Sequence, residues 1–302
     1  MDKKNRTRTM NPFVSVIIPS YNSLKTIGAC LNSILQQRPE FRYEVIVVDC
    51  SADATPALIK EKFPFVKLIH LNRQTYPGAG RNIGAKEAQG EVLAFIDSDC
   101  VAAENWLERA LEAVRSGHLI VGGGVRNANP GWISWADYFL TFNEFMPTMP
   151  QREVRFMPTC NFIITKKIFE KIGGFDATLF AGEDTLFCYN ASQHTTLFFD
   201  NSILVSHCNR EQFSKFIKHH LSFGRHSSNL RKKIKIPGSI LARYPLLTMV
   251  VPVVRLARIS MRMLRWNKKY LLPFVITSPL LLMGVAIWSV GFMKESFQSK
   301  GR

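Results

Sequence analysis

The sequence predicts an α/β protein built on a parallel sheet, extended at its C-terminal end by a membrane-associated helical region. Three observations carry this. Between residues 14 and 96, short apolar, β-branched runs alternate with stretches of helical period, the pattern of βαβ units. The runs end in polar, partly acidic residues, as strands do where ligands meet the carboxyl edge of a parallel sheet. Charge is also divided. Residues 1–209 balance 21 Lys/Arg against 21 Asp/Glu, whereas residues 210–302 set 18 Lys/Arg against only Glu211 and Glu295. The whole excess of +16 therefore lies in the last third, and two regions with different partners are expected. They divide as a flexible basic N-terminus (1–12), an α/β domain (13–228) and a basic amphipathic and transmembrane C-terminal region (229–302).

Taken in order, "VSVIIP" (14–19) reads as the first strand. Apolar residues at 24, 27, 31, 34 and 35 give a helix, with Asn22 or Ser23 as its cap. "YEVIVVD" (43–49), a short helix (55–62) and "VKLIHL" (66–71) follow, and then a glycine-bearing helix (78–89). "VLAFI" (92–96) is apolar on both faces, as a buried parallel strand should be. Residues 104–116 read as a helix and "LIVGGGVRN" as a strand whose glycines allow close approach. The aromatic stretch 132–145 fits neither period. "FMPTCNFIIT" (156–165) is a strand, and a helix begins near Asp184. Residues 197–207 read as a hairpin turning at Asn201-Ser202.

The strand 92–96 runs into Asp97-Ser98-Asp99, with the two carboxylates on one side of an extended chain. Their charges repel unless a cation or a set of donors lies between them. A plain polar turn is the other reading. The six cysteines are scattered without CxxC pairs, which excludes a zinc-finger spacing and a disulfide framework and fits reduced thiols. The start is basic and polar with no apolar stretch behind it, so no signal peptide is expected.

The ordered pieces "VSVIIPSYN", "VIVVDCSADAT", "GAGRNIGAKEAQGEVLAFIDSDC", "CNFIITKKIFEKIGGFD", "GEDTLFCY" and "VSH" make residues 14–225 resemble a family 2 glycosyltransferase of GT-A fold, which is a Rossmann-like nucleotide-binding architecture. The resemblance implies transfer of a sugar from a UDP- or GDP-linked donor, with inversion, in membrane-linked glycan or polysaccharide biosynthesis. Asp97-Ser98-Asp99 then matches the DxD motif, which holds a divalent metal, Mn²⁺ or Mg²⁺, on the donor diphosphate. Asp99 is implied as the direct ligand, and Asp97 reaches the ribose or the metal through water. Pro19, Tyr21 and Asn22 match the first nucleotide loop, although Pro and Asn also suit a plain strand-to-helix turn. Asp49 matches the carboxylate that pairs with the base, in a loop, "DCSAD", that is one residue shorter than the family's usual "DDGSTD" and lacks its glycine. Arg81 matches an arginine near the diphosphate; its plain reading is a solvated first-turn residue. Glu183-Asp184 matches the acidic pair that supplies the catalytic base, with Asp184 as base and Glu183 positioning it or the acceptor; helix capping is the alternative. His207 matches the position of a third metal ligand, with a structural histidine as the other reading. The QxxRW motif of processive synthases is absent, which favours adding one sugar or a few.

The tail suggests where this happens. Residues 271–293 run without a charge, long enough as a helix of ~1.5 Å per residue to cross a ~30 Å hydrocarbon core. Pro273 and Pro279 would kink it, and Lys294, Lys300 and Arg302 beyond it leave a re-entrant hairpin open. Arg255, Arg258, Arg262 and Arg265 recur on one helix face with apolar residues opposite, as in a helix lying among lipid headgroups. Membrane lipids, not nucleic acid, are the partner expected of this charge. The catalytic domain is then expected on the cytoplasmic side of an inner or plasma membrane. The acceptor is a glycan or a lipid-linked molecule. Three other classes are weighed. A polyprenyl-phosphate sugar synthase would need no strong base. A catalytically inactive, membrane-tethered GT-A binding protein has only the altered "DCSAD" loop in its favour. A sugar nucleotidyltransferase would need a triphosphate loop that "PSYNS" does not supply.

Overall fold

The structure is a computed structural model in which residues 13–298 are described. The N-terminal segment expected to be flexible and basic, together with Lys300 and Arg302, lies outside the described residues. The first half alternates as the periodicities require: β1 (Val14–Ser20), α1 (Ile27–Leu35), β2 (Tyr43–Asp49), α2 (Thr55–Lys62), β3 (Lys67–His70), α3 (Pro77–Glu87) and β4 (Val92–Ile96). These four strands pair in parallel in the order β3-β2-β1-β4. All five residues of β4 are buried, consistent with its unbroken apolar run.

The second half comprises β5 (Cys100–Ala102), α4 (Trp106–Arg115), β6 (Ile120–Asn127), α5 (Trp132–Phe142), β7 (Arg152–Val154), β8 (Asn161–Thr165), α6 (Lys166–Ile172), α7 (Glu183–Ala191) and β9 (Leu197–His207). It continues the same sheet as β4-β8-β6-β9-β5, with β7 on β9. β8 runs antiparallel to both neighbours, so the sheet is mixed beyond β4. The aromatic stretch without a clear period is α5, whose Tyr138, Phe139 and Phe142 are buried. Because it is apolar nearly all round, it shows no amphipathic stripe.

One expectation is corrected. Residues 197–207 form a single strand, not a hairpin. Its pairing with β6 shifts register between Gly123 and Gly124, so Asp200 faces Gly123 and Leu204 faces Gly124. The intervening residues bulge, and the Asn201 amide donates to the carbonyls of Pro147 and Met149. The turn-forming residues therefore serve a bulge within one strand.

The C-terminal region holds α8 (Phe213–Lys233), α9 (Ser239–Arg243), a 3₁₀ turn (Pro245–Val250), α10 (Val251–Trp266), a second 3₁₀ turn (Lys268–Tyr270), α11 (Leu271–Ile276) and α12 (Ser278–Gln298). The expected boundary after residue 228 falls inside α8. The uncharged run is interrupted at Thr277, with Pro279 in the first turn of α12, where no intrahelical N–H bond is lost. α12 is long and apolar enough to cross a membrane, yet its Leu281, Val285 and Phe292 are fully buried within the protein. Two glycines set its contact with α8. A Cβ on Gly224 would stand 2.0 Å from the Trp288 carbonyl, and one on Gly291 would stand 2.2 Å from the Leu221 carbonyl. The two helices thus meet backbone to backbone.

Candidate active site

Parallel pairing places the C-terminal ends of β1, β2 and β4 on one edge of the sheet. A cleft of about 250 Å³ opens there, lined among others by Pro19, Tyr21, Arg81, Asp97, Ser98 and Asp99. Ser98, in its lining, shares a hydroxyl hydrogen bond of 2.7 Å with Ser23. Tyr76 and Phe180, which the sequence reading did not single out, also line it and meet edge to face at 5.6 Å.

Asn22 and Asp49 do not line the cleft; they shape it. Asn22 adopts φ 49°, a left-handed conformation that asparagine tolerates better than most residues. Its Oδ1 accepts the Ala52 N–H at 3.0 Å and its own N–H donates to Ser51 Oγ at 2.7 Å, tying the first loop to the "DCSAD" loop. Asp49 is wholly buried. Its carboxylate accepts from the Ser20 hydroxyl (2.8 Å), the Ser51 hydroxyl (2.6 Å) and the Ser51 N–H (3.1 Å), and pairs with His70 Nδ1 (2.8 Å). In this shortened loop Cys50, not Asp49, faces the cleft.

Arg81 is neither solvated nor free to reach outward. Gly78 and Gly80 let the start of α3 approach closely: a Cβ on Gly78 would lie 3.2 Å from both the Asp176 carbonyl and Glu183 Cγ. This buries Arg81 to 2% exposure. Its two terminal nitrogens donate to Asp97 Oδ1 at 2.6 Å and to Glu183 Oε1 at 2.9 Å. Burial disfavours the guanidinium charge, but Asp97 and Glu183 outweigh it and hold the group charged. Two acidic motifs some eighty-five residues apart are thereby joined by one buried cation. Asp184, next to Glu183 in the first turn of α7, accepts at Oδ1 from the Thr185 N–H at 2.6 Å and the Thr185 hydroxyl at 3.2 Å. Burial, and then the adjacent Glu183, push its carboxyl up to about 7, against the pull of those hydrogen bonds and Arg81. A carboxylate so placed exchanges a proton near neutral pH.

The metal-site expectation meets a specific geometry. Cys100 of β5 pairs with His207 of β9, and the Cys208 N–H donates to the Asp99 carbonyl at 2.9 Å. His207 Nε2 thus lies 3.6 Å from Asp99 Oδ1. His207 Nδ1 lies 3.1 Å from Asn209 Oδ1, a partner that keeps its proton there and leaves Nε2 as the open ligand. Two ligands each ~2.1 Å from one ion stand roughly 3–4 Å apart, so the pair fits a small divalent cation. Burial raises the Asp99 carboxyl, while His207 opposes the shift. Cys100 completes the cluster of potential ligands, but burial raises its thiol well above the usual range, which leaves oxygen and imidazole donors suited to Mg²⁺ or Mn²⁺. Asp97 and Asp99 consequently diverge. Arg81 balances the first, and the second faces His207.

Sequence reasoning missed a buried charge cluster that anchors Arg210, three residues after His207. Asp137 on α5 is fully buried, with Arg210 Nη1 3.1 Å from Oδ2 and His220 Nε2 3.1 Å from Oδ1. Burial works against its charge, but His220 and Arg210 hold the carboxyl well below the usual range. Asp137 sits in the stretch without a clear period, so nothing in the sequence marked it.

Residues 15–173 match the model of Glycosyl transferase family 2. Among curated proteins, the chain is 29% identical over 221 residues to glycosyltransferase AglE of Haloferax volcanii, spanning 71% of this chain and 72% of that protein. It is 41% identical over 102 residues to the succinoglycan biosynthesis protein ExoO of Rhizobium meliloti, but this covers only 33% of the chain and 29% of ExoO. Among solved structures, the mannosyltransferase PcManGT of Pyrobaculum calidifontis, in complex with GDP-Man and Mn²⁺, superposes with a TM-score of 0.62 at 17% identity, covering 94% of this chain and 88% of that one. TarS 1–349 of S. aureus, in complex with UDP-GlcNAc, gives 0.55 at 19% identity, covering 97% and 93%. Those likenesses establish the GT-A fold, and the family match covers more than half of the sequence. The chain belongs to glycosyl transferase family 2 and is a glycosyltransferase.

Proposed function

We propose that the chain transfers a glycosyl group from a UDP- or GDP-linked sugar to an acceptor hydroxyl, with inversion and with a divalent ion, at the cytoplasmic face of an inner or plasma membrane. The observation that carries this reading is the Arg81 bridge, at 2.6 Å to Asp97 and 2.9 Å to Glu183, which unites the DxD segment and the acidic pair in one site. The complexes of PcManGT with GDP-Man and Mn²⁺ and of TarS with UDP-GlcNAc support the donor class and the ion.

Pro19, Tyr21 and Ser98 line the donor cleft, while Asn22 and Asp49 hold its loops in place. Asp99 and His207 would hold the ion. When bound, it supplies positive charge that stabilises the departing nucleoside diphosphate. Glu183 is committed to Arg81, so Asp184 is the carboxylate left to act as base. As the acceptor oxygen bonds to the anomeric carbon, its proton passes to Asp184. The bond from that carbon to the diphosphate oxygen breaks, and its electron pair leaves with the nucleoside diphosphate. Attack opposite the leaving group inverts the configuration.

The membrane reading takes a revised form. Were α12 to cross a bilayer in its present packing, it would draw in α8, which carries Lys215, Lys218, Arg225 and Arg231. Arg255 and Arg262 turn inward, to the Leu140 carbonyl and to Asn143 and Glu144, so the arginine stripe is not wholly a headgroup surface. The outward face of α10 and the preceding turn is apolar instead, with Leu246 at 69% and Val253 at 69% exposure. Docking on one leaflet fits this surface better than a single span.

The test is donor turnover with and without chelator in the wild type, Asp99→Ala and Asp184→Asn. Loss of turnover in all three perturbations is expected; undiminished transfer in both variants ends this mechanism. If only Asp184→Asn keeps most of its rate, the acceptor is a lipid phosphate that needs no strong base.

A further inference from the structure

Beyond the donor cleft lies a larger cavity of about 1040 Å³, at the top of the ~300–1,000 Å³ range of ligand pockets. One end is formed by Gly182 and Thr185, the residues flanking the acidic pair. The lining also brings cations from four separate segments: Arg155 after β7, Arg231 on α8, Lys235 beyond it, and Arg258 on α10. Among the described residues none of these four pairs with a carboxylate. Arg231 donates to the carbonyls of Pro237 and Ser227, and of the two acids in the lining Glu144 is already held by Arg262 at 2.6 Å. Phe156 and Phe223 add apolar lining. A cavity whose lining holds unpaired cations, and which reaches the two residues flanking the acidic pair, matches a ligand that carries an anion.

The rim indicates what that anion is attached to. Arg258 is flanked on its own helix by Val254 and Met261, both exposed, and the apolar surface continues through Leu264 and back to Val250. At Arg258, therefore, the cavity borders a surface suited to hydrocarbon.

We infer that this cavity is the acceptor site and that it binds a phosphate- or diphosphate-bearing, lipid-linked acceptor, its anionic group held by Arg155, Arg231, Lys235 and Arg258 and its hydrocarbon lying on the apolar face of α10. The inference rests on the glycosyltransferase reading and adds the acceptor's chemical class.

The probe is farnesyl diphosphate, a soluble isoprenoid diphosphate, titrated calorimetrically into the full chain with EDTA present, so that no ion in the donor cleft recruits it. Farnesol and inorganic pyrophosphate are titrated in parallel. Farnesyl diphosphate is expected to bind the wild type at least about tenfold more tightly than either, and to weaken at least about tenfold in an Arg155→Ala/Lys235→Ala/Arg258→Ala variant, because charge-assisted contacts are lost. All three side chains are exposed, and an unchanged thermal shift of that variant by UDP or GDP with Mn²⁺ verifies its fold. Equal affinity for inorganic pyrophosphate overturns the lipid-borne assignment. Equal affinity for farnesol, or undiminished binding in the triple variant, overturns the anion site. If the wild type hydrolyses nucleotide sugar yet does not bind farnesyl diphosphate, this inference fails alone. If it binds farnesyl diphosphate but turns over no donor, only the glycosyltransferase reading fails.

Discussion

Arg81, bonded to Glu183, and Asp184, its neighbour in the chain, respond differently to its charge. Arg81 needs it: replacing this buried guanidinium by alanine leaves Asp97 and Glu183 uncompensated. A loss of ~3–5 kcal/mol, the usual range for breaking a buried pair, is expected in denaturant unfolding. A destabilisation under ~1 kcal/mol, the scale of an exposed pair, would mean that the bridge does not persist in solution. Asp184 is burdened by the same charge, and its carboxyl is pushed up to about 7 by burial and by Glu183. Two outcomes follow. In the proposed role of base Asp184 works deprotonated, so kcat should rise with pH through about 7 and level above it; Asp184→Asn should abolish that limb and lower kcat by ~10²–10⁴-fold. A carboxyl raised above its unfolded value binds protons in the native state that the unfolded chain has released. Its contribution to stability therefore falls as pH rises from the ordinary carboxylate range through about 7. Asp184→Asn removes that penalty, so the variant should melt higher than the wild type at pH 8, a trade of stability against activity that a base of ordinary pKa would not show.

At the scale of elements, what was legible followed period and spacing. β1, β2, β3 and β4 alternate with helices in the sequence, and the motifs at their ends line one cleft because parallel pairing puts those ends on one edge. The Asp99–His207 and Arg81–Glu183 juxtapositions depend on long-range pairing that a linear reading cannot supply. The first needs β9 beside β5, and the second needs α3 packed through Gly78 onto the start of α7. Asp49, matched in sequence to a carboxylate that pairs with the base, faces two serines and a histidine in the structure, and its residue type reads the same for either surrounding. The hairpin at Asn201-Ser202 failed because a bulge and a turn use the same residues. Glycines illustrate the same limit. Gly224 and Gly291 look unremarkable in sequence, yet they let α8 and α12 touch through their backbones. Gly224→Ala should force these helices apart and cost ~1–3 kcal/mol, read as a lower melting temperature. Gly28→Ala, where nothing lies within 4 Å of the added Cβ, is the matched control and should be neutral or slightly stabilising.

For the whole molecule, the proposed docking on one leaflet rests on the last third of the chain, where the excess charge lies. Leu246, Met249, Val253 and Leu272 are exposed to 69%, 68%, 69% and 71%, and the run of elements from α9 to α11 that carries them also carries Arg243, Arg265, Lys268 and Lys269. Each basic residue near an anionic bilayer contributes ~1 kcal/mol of attraction, and each large apolar side chain that leaves water adds ~1.5–3 kcal/mol when fully buried. On the proposed leaflet docking, electrostatics would bring this surface to a membrane and apolar insertion would hold it there. Vesicles of phosphatidylglycerol and phosphatidylcholine should sediment the protein, and pure phosphatidylcholine should do so weakly. High salt should reduce the binding without abolishing it, because screening leaves the apolar part intact. Leu246→Glu/Met249→Glu/Val253→Glu should release the protein into the supernatant. The same variant separates docking from spanning. If α12 crossed the bilayer, membranes prepared from cells would retain the triple variant through an alkaline carbonate wash. A protein held on one leaflet by the α9–α10 surface would be washed away, leaving α12 in its role as the helix that α8 packs against.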